Sequence, residues 1–218
     1  MAGETVKSEA ICLSIVPWSK TSHIVGWLTP NGKVATVAKG AVRPKSYLLG
    51  QYDLNYTCEI LYYARAKGDL HALRDCVPVN LRENLRGDYR ALALAGYFRR
   101  LVADFAPQGP DCREWYGLLA EALDRGGATL ADLIDFELKS LELLGLEPGL
   151  EAESGALNLR GERRIPVSPE VAAYLRDPRA DVKNLQIPLD AARVIGVFYQ
   201  FHADCPSDIR RAVLGLIS

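Results

Sequence analysis

The sequence predicts an α+β chain in which a small antiparallel β-barrel precedes an α-helical domain. Two periodicities and one bulk property carry this expectation. Up to about residue 80, apolar residues alternate in short runs separated by turn signals, the pattern of strands. From about residue 81 they recur at i, i+4 and i+7, the pattern of amphipathic helices. Over 218 residues, a hydrophobic share of 49% suffices for a real core in one large domain or two small ones. The expected domains are therefore 1–80, a barrel, and 81–218, a helical domain. A charged share of 24% excludes a disordered chain or a fibrous rod. No apolar run approaches the ~20 residues of a membrane helix. The start MAGETVKSEA has no basic segment leading into an apolar one, which predicts no secretory signal and a cytoplasmic location.

The first strand is expected over 9–16 (EAICLSIV), a β-branched run. The second, 23–29 (HIVGWLT), leads into Pro30-Asn31-Gly32, and 33–39 (KVATVAK) returns as a hairpin. The strongest alternation lies at 54–63, with Leu54, Tyr56, Cys58, Ile60 and Tyr62 on one face. Lys67-Gly68-Asp69 turns the chain into 70–79. Five strands with short turns suit a closed barrel, which leaves no open edge.

In the second part, 88–105 carries the stripe Leu94, Phe98, Leu101 and Phe105 until Pro107 and Pro110 end it. Trp115, Leu118, Leu119 and Ala122 mark one side of 113–123, stopped by Gly126-Gly127. Thr129 is the expected N-cap of a helix with Leu130, Ile134, Leu138 and Leu141 inward, ended by Gly145 and Pro148. Residues 146–167 read as a loop or short hairpin. Ser168-Pro169 begins a short helix with Ser as N-cap and Pro in the first turn. Two more helices fit 189–203, with Val194, Phe198 and Phe201 inward, and 207–217.

No catalytic constellation accompanies these elements. The chain contains no GxGxxG, GxxxxGK[ST], GxSxG or HExxH. His23, His71 and His202 are isolated. Asp132/Asp135 and Glu151/Glu153 read as solvated faces rather than metal ligands. The five cysteines, Cys12, Cys58, Cys76, Cys112 and Cys205, are dispersed, which argues against both a disulfide framework and a zinc site. Charge is uneven: residues 1–86 hold 11 Lys+Arg against 7 Asp+Glu, and residues 87–218 hold 15 against 20. A positive first part suits a phosphate-binding module beside a protein-binding one, and suits a solvated basic face equally well.

The loop Lys39-Gly40-Ala41-Val42-Arg43-Pro44-Lys45-Ser46 concentrates the positive charge. Gly40 permits an unusual backbone angle and a close approach to a ligand. Pro44 stiffens the loop and favours an extended Arg43. Lys39, Arg43 and Lys45 then project as cations, with Ser46 as a hydroxyl donor, a set that suits phosphate oxygens. An ordinary exposed connection would have the same composition, so residue type alone leaves both readings open.

The stretch VATVAKGAVRPKS, preceded by a hairpin ending in PNGK and followed by YDLNYTCEILYY, resembles the N-terminal domain of the RecO family of DNA recombination mediators. FELKSLELLGLEPGL resembles the family's helix entering its central insertion. The resemblance runs over essentially the whole chain, most specifically at Val34–Ser46. It implies an OB-fold followed by a helical domain, binding of single- and double-stranded DNA, and strand annealing. It also implies partnership with RecR and with the tail of single-stranded-DNA-binding protein, so that recombinase is loaded onto coated strands. The family's basic loop falls on Lys39, Arg43 and Lys45. Two departures stand out: many members carry four zinc-binding cysteines in the insertion, whereas 146–167 has none, and many have a second Arg where Val42 stands. We therefore expect a shortened insertion without zinc, no cofactor and no enzymatic activity.

On this reading Lys33, Lys39, Arg43, Lys45 and Ser46 hold phosphates, and Tyr47, Tyr52 or Trp27 are candidates for stacking on bases. Arg99 and Arg100 would rim an apolar groove for an acidic partner peptide. The alternatives are an adaptor of the repair machinery with weak DNA binding, favoured by the net charge of -1, and an RNA-binding OB-fold protein of translation. A hydrolase fits least.

Overall fold

The structure is a computed structural model that describes residues 4–65, 68–146, 148–149, 156–158, 164–203 and 207–218. Strands β1 (Thr5–Ser19), β2 (Ser22–Thr29), β3 (Gly32–Ala38), β4 (Thr57–Tyr63) and β5 (Leu70–Asn80) close into a barrel in the order β1-β2-β3-β5-β4. This is the α+β class and barrel that the alternation predicts, with one pairing, β3 to β5, parallel rather than antiparallel. That follows from the order: β4 pairs with β1, so β5, antiparallel to β4, runs beside β3 in the same sense.

β1 extends beyond 9–16 at both ends. Thr5 to Ile11 pair with β4, and Ile11 to Ser19 pair with β2, so one strand serves two neighbours. Before Ala10 only Val6 is both apolar and half-buried, and after Ile15 the residues are exposed, so the sequence offers too few apolar positions to reveal the extension. β4, by contrast, starts later than expected. Asn55 adopts φ 69° and Tyr56 N donates to Asp53 O at 3.1 Å, so a turn occupies 53–56 and Leu54 is exposed. Cys58, Ile60 and Tyr62 face the core as predicted, against Trp27, Leu73 and Cys76. Lys67, in the predicted turn before β5, lies outside the described residues.

Among the described residues, six α-helices follow: α1 (Tyr89–Phe105), α2 (Arg113–Arg125), α3 (Leu130–Leu143), α4 (Pro169–Arg176), α5 (Gln186–His202) and α6 (Ser207–Ile217). Between α3 and α4, β6 (Ala156–Asn158) and β7 (Arg164–Pro166) pair as a small antiparallel sheet. Most of the remaining stretch expected to be a short insertion without zinc, including Glu151 and Glu153, lies outside the described residues, as does Cys205. Thr129 caps α3 through a capping box: its Oγ1 accepts from Asp132 N at 3.2 Å, and the Asp132 carboxylate accepts from Thr129 N at 3.1 Å. Ser168 Oγ accepts from Val171 N at 3.3 Å, with Pro169 in the first turn of α4.

The chain forms two compact units that do not follow a single cut near residue 80. One holds 1–87 with 102–124, the other 88–101 with 125–218. In the first, the barrel shares its unit with α2, whose Trp115, Leu119 and Leu123 are buried at i, i+4 and i+8. In the second, α3 and α4 pack on α5. Two inward faces differ from expectation. On α3, Leu133, Ile134, Phe136, Glu137, Ser140 and Leu141 are buried, while Leu130 and Leu138 are half-buried. On α5 the buried arc centres on Ala191, Ile195 and Phe198; Val194 is half-buried and Phe201 is exposed. At about 100° per residue, Phe201 sits about 120° round from Ile195, outside that arc.

Candidate nucleic-acid interface

The basic loop is held in shape by its own turns and by the β1–β2 connection. Arg43 N donates to Gly40 O at 3.1 Å and Ser46 N to Arg43 O at 2.9 Å, which places Pro44 second in a turn, where its fixed φ fits. Gly40 N donates to Ser22 Oγ at 3.1 Å and Val42 N to Thr21 O at 3.3 Å. Ala41 and Leu48 are buried in the barrel core and act as apolar pins. Lys39, just before the first pin, and Val42, Arg43, Pro44 and Lys45, between the two, are exposed.

Gly40 is required by its backbone angle rather than by lack of space. Its φ is +66°, which favours glycine, and the Arg43 side chain lies over it. A Cβ there would stand 3.5 Å from Arg43 Nε and 3.7 Å from Cζ. Among the described residues, none of Lys39, Arg43 and Lys45 forms an ion pair. Lys20, exposed in the β1–β2 turn that anchors the loop, is equally without one. Sequence reasoning missed it because its place beside the loop depends on tertiary hydrogen bonds. Ser46 is half-buried, and its Oγ accepts from Leu48 N at 3.3 Å, making it partly a turn residue.

Lys33 does not join this group. It is the second residue of β3, whereas Lys39 follows the end of that strand, six residues and about 20 Å away. Its Nζ donates to Ala103 O at 2.9 Å. Burial pushes its ammonium below the ordinary lysine value, with Cys112 and Asp104 opposing that shift.

Of the three aromatics proposed for stacking, Trp27 is fully buried with Nε1 donating to Thr36 Oγ1 at 2.9 Å. Tyr52 is half-buried, its hydroxyl 3.0 Å from His23 Nδ1. Tyr47 is exposed and donates its hydroxyl to Arg74 O at 2.6 Å. A fourth aromatic, Trp18, went unnoticed in the sequence. It is 61% exposed and lines a groove of about 450 Å³ with Ser19, Thr21, Lys39, Gly40 and Arg43.

In the helical unit, Arg99 is half-buried and Arg100 exposed on α1, and neighbouring groups engage both. A separate groove of about 230 Å³ between α5 and α6 combines Val197 and Leu214 with Arg193 and Arg211. Among the described residues, no helix is long and apolar enough to cross a membrane.

Two family models match the chain, one over each half. Residues 1–82 match the family described as Recombination protein O N terminal, and residues 86–204 match Recombination protein O C terminal. A DNA repair protein RecO from Geobacter metallireducens is 33% identical over 172 residues, covering 76% of this chain and 70% of that protein. One from Roseiflexus sp. is 28% identical over 197 residues, covering 88% and 68%. One from Moorella thermoacetica is 28% identical over 173 residues, covering 78% and 64%. With both family halves matched in order along a chain that folds as barrel then helices, the chain belongs to the RecO family of DNA repair proteins.

Proposed function

We propose that this protein is a non-enzymatic recombination mediator that grips DNA phosphates at the edge formed by the β1–β2 turn and the β3–β4 loop. One observation carries the reading: Lys39, Arg43 and Lys45 are exposed on a loop pinned to the barrel, with no ion-pair partner among the described residues. A fixed cluster of uncompensated cations attracts phosphate without reading base sequence. Ser46 lies at the end of the same loop as a hydroxyl donor. Binding two complementary strands at such a surface lowers their mutual repulsion and promotes annealing.

Family membership supports the rest of the proposal. DNA, single- and double-stranded, is the ligand. RecR and the C-terminal tail of single-stranded-DNA-binding protein are the partners, and the outcome is recombinase loading in the cytoplasm, at the nucleoid. For an acidic tail, the α5–α6 groove, with its apolar floor and two arginines, is a better-formed candidate than Arg99 and Arg100.

The test replaces Lys39, Arg43 and Lys45 together by Glu and titrates a labelled single strand at low salt. Affinity should fall roughly tenfold or more with an unchanged melting temperature. If Lys20, Lys39, Arg43 and Lys45 each neutralise one phosphate, the wild-type slope of log K against log salt is about -3. An unaltered affinity removes the loop from the function. The net charge of -1 and the exposed Val42 within the loop favour a second reading, an adaptor with weak DNA binding. A salt slope near zero would select it.

A further inference from the structure

Phosphate binding leaves the most unusual feature of this edge without a use. Of the chain's three tryptophans, Trp27 and Trp115 are core residues, whereas Trp18 keeps most of its indole in water beside the cations. An exposed indole is a large apolar surface that folding does not employ. Its placement is specific. Pro17 pairs with His23 and Ser19 with Ser22, and the register shifts between them, so Trp18 is the extra residue of a β-bulge. A bulge re-aims the side chain it carries and is a common device beside binding sites. The turn that follows is tied to the basic loop through Ser22 Oγ and Thr21 O, so indole and cations belong to one rigid edge.

Resting on the proposed DNA binding at this edge, we infer that Trp18 stacks on an unpaired base while Lys39 and Arg43, in the same groove, hold phosphates of the same strand. Every base has a π-face, so the contact tolerates any sequence. In a duplex those faces are already stacked on neighbouring pairs and out of the ring's reach. The groove is therefore a single-strand site, and duplex DNA is bound only through the cations. An acidic peptide bearing an aromatic residue is the competing occupant; the tie between the indole and several cations spread along a loop favours a polyanion with planar groups at each repeat.

Trp18 is itself the reporter, because the other two tryptophans are shielded from solvent. Titrating the full chain with an oligothymidylate should quench its tryptophan emission, and Trp18→Phe should abolish most of that signal while the protein still binds. Trp18→Ala should weaken single-strand binding, followed by anisotropy of a labelled strand, roughly tenfold and leave duplex binding within about twofold. A melting curve matching wild type shows that the variant folds. Single-strand affinity unchanged in Trp18→Ala, with no quenching in the wild type, overturns the stacking and leaves the phosphate grip intact. Equal losses for single strand and duplex overturn it too. Failure of the wild type to bind either DNA overturns the reading beneath both, and quenching by an acidic aromatic peptide alone reassigns the groove.

Discussion

Arg43 and Arg210 each lie against a glycine, yet they end in opposite settings. Arg43 rests over Gly40 on the barrel edge, exposed and without an ion pair among the described residues. Arg210 crosses Gly196 of α5 so closely that a Cβ there would collide with its Nη1, and it is 8% exposed. Its Nε and Nη2 donate to the two carboxylate oxygens of Glu137 at 2.7 and 2.9 Å, and Nη2 also donates to Ala192 O at 2.7 Å. Tyr97 adds a hydroxyl donated to Glu137 Oε1 at 2.6 Å. The same cation is thus a fixed strut in one unit and an unmet charge in the other. The difference shows that a count of positive residues says little about anion binding; what matters is which cations the fold has already satisfied.

The strongest way to break this contrast is to remove the carboxylate. Glu137→Ala leaves the Arg210 guanidinium buried without its partner and should cost about 3–5 kcal/mol, seen as a lowered urea midpoint. The paired change Glu137→Leu with Arg210→Met removes both charges and should recover most of that loss. A single variant within about 1 kcal/mol of wild type would mean that the pair is not a strut. DNA binding of the still-folded fraction should be unaffected in every case.

The two settings also differ in how far the sequence reveals them. The barrel was legible because alternation and Pro30-Asn31-Gly32 report strands and turns locally, and the basic loop because its residues are contiguous. Glu137 was not. In FELKSLELL a glutamate reads as a solvent-facing helix position, and its partner is 73 residues away. The setting of Lys33 was hidden for the same reason. It sits near Lys39 in sequence, but a strand separates them, and the carbonyl that holds it belongs to Ala103, 70 residues on. Trp18 stayed hidden because it falls between the strands expected at 9–16 and 23–29; the bulge that turns the ring outward depends on pairing with β2. Local pattern finds elements and contiguous charge, while long-range pairing decides which charges remain available.

Arg179 lies between the extremes and sharpens the contrast. Half-exposed, it donates to Asp132 at 3.2 Å and to Asp135 at 3.0 Å, where Arg125 and Lys139 also converge. Burial by itself would raise the Asp135 carboxyl, but Arg179 and Lys139 outweigh it and hold the group below its ordinary value of 3.8. A carboxyl lowered on folding contributes stability that is complete above 3.8 and lost as pH falls through the lowered value. Arg179→Ala should therefore cost about 0.5–1 kcal/mol at neutral pH, solvent screening being substantial. The gap to wild type should close in acid. A gap that persists through acid melts would show that Arg179 acts by packing rather than charge.

The smallest effect tests whether Lys33 belongs with the strut or with the grip. Lys33→Met removes one charged hydrogen bond to a carbonyl and keeps an apolar stem against the same surface, so the net change should be about 1 kcal/mol or less. Because burial lowers its ammonium, the folded chain binds fewer protons than the unfolded chain between that lowered value and 10.5. Stability from this group therefore rises with pH across that window, and the Met variant should lack the rise in alkaline melts. Single-strand affinity and the salt slope should match wild type, whereas Lys39→Met should flatten the slope by about 0.7. Equal losses from Lys33→Met and Lys39→Met would place both lysines on the DNA, and exposure and ion pairing would then fail to separate the cations that hold the fold from those that hold the ligand.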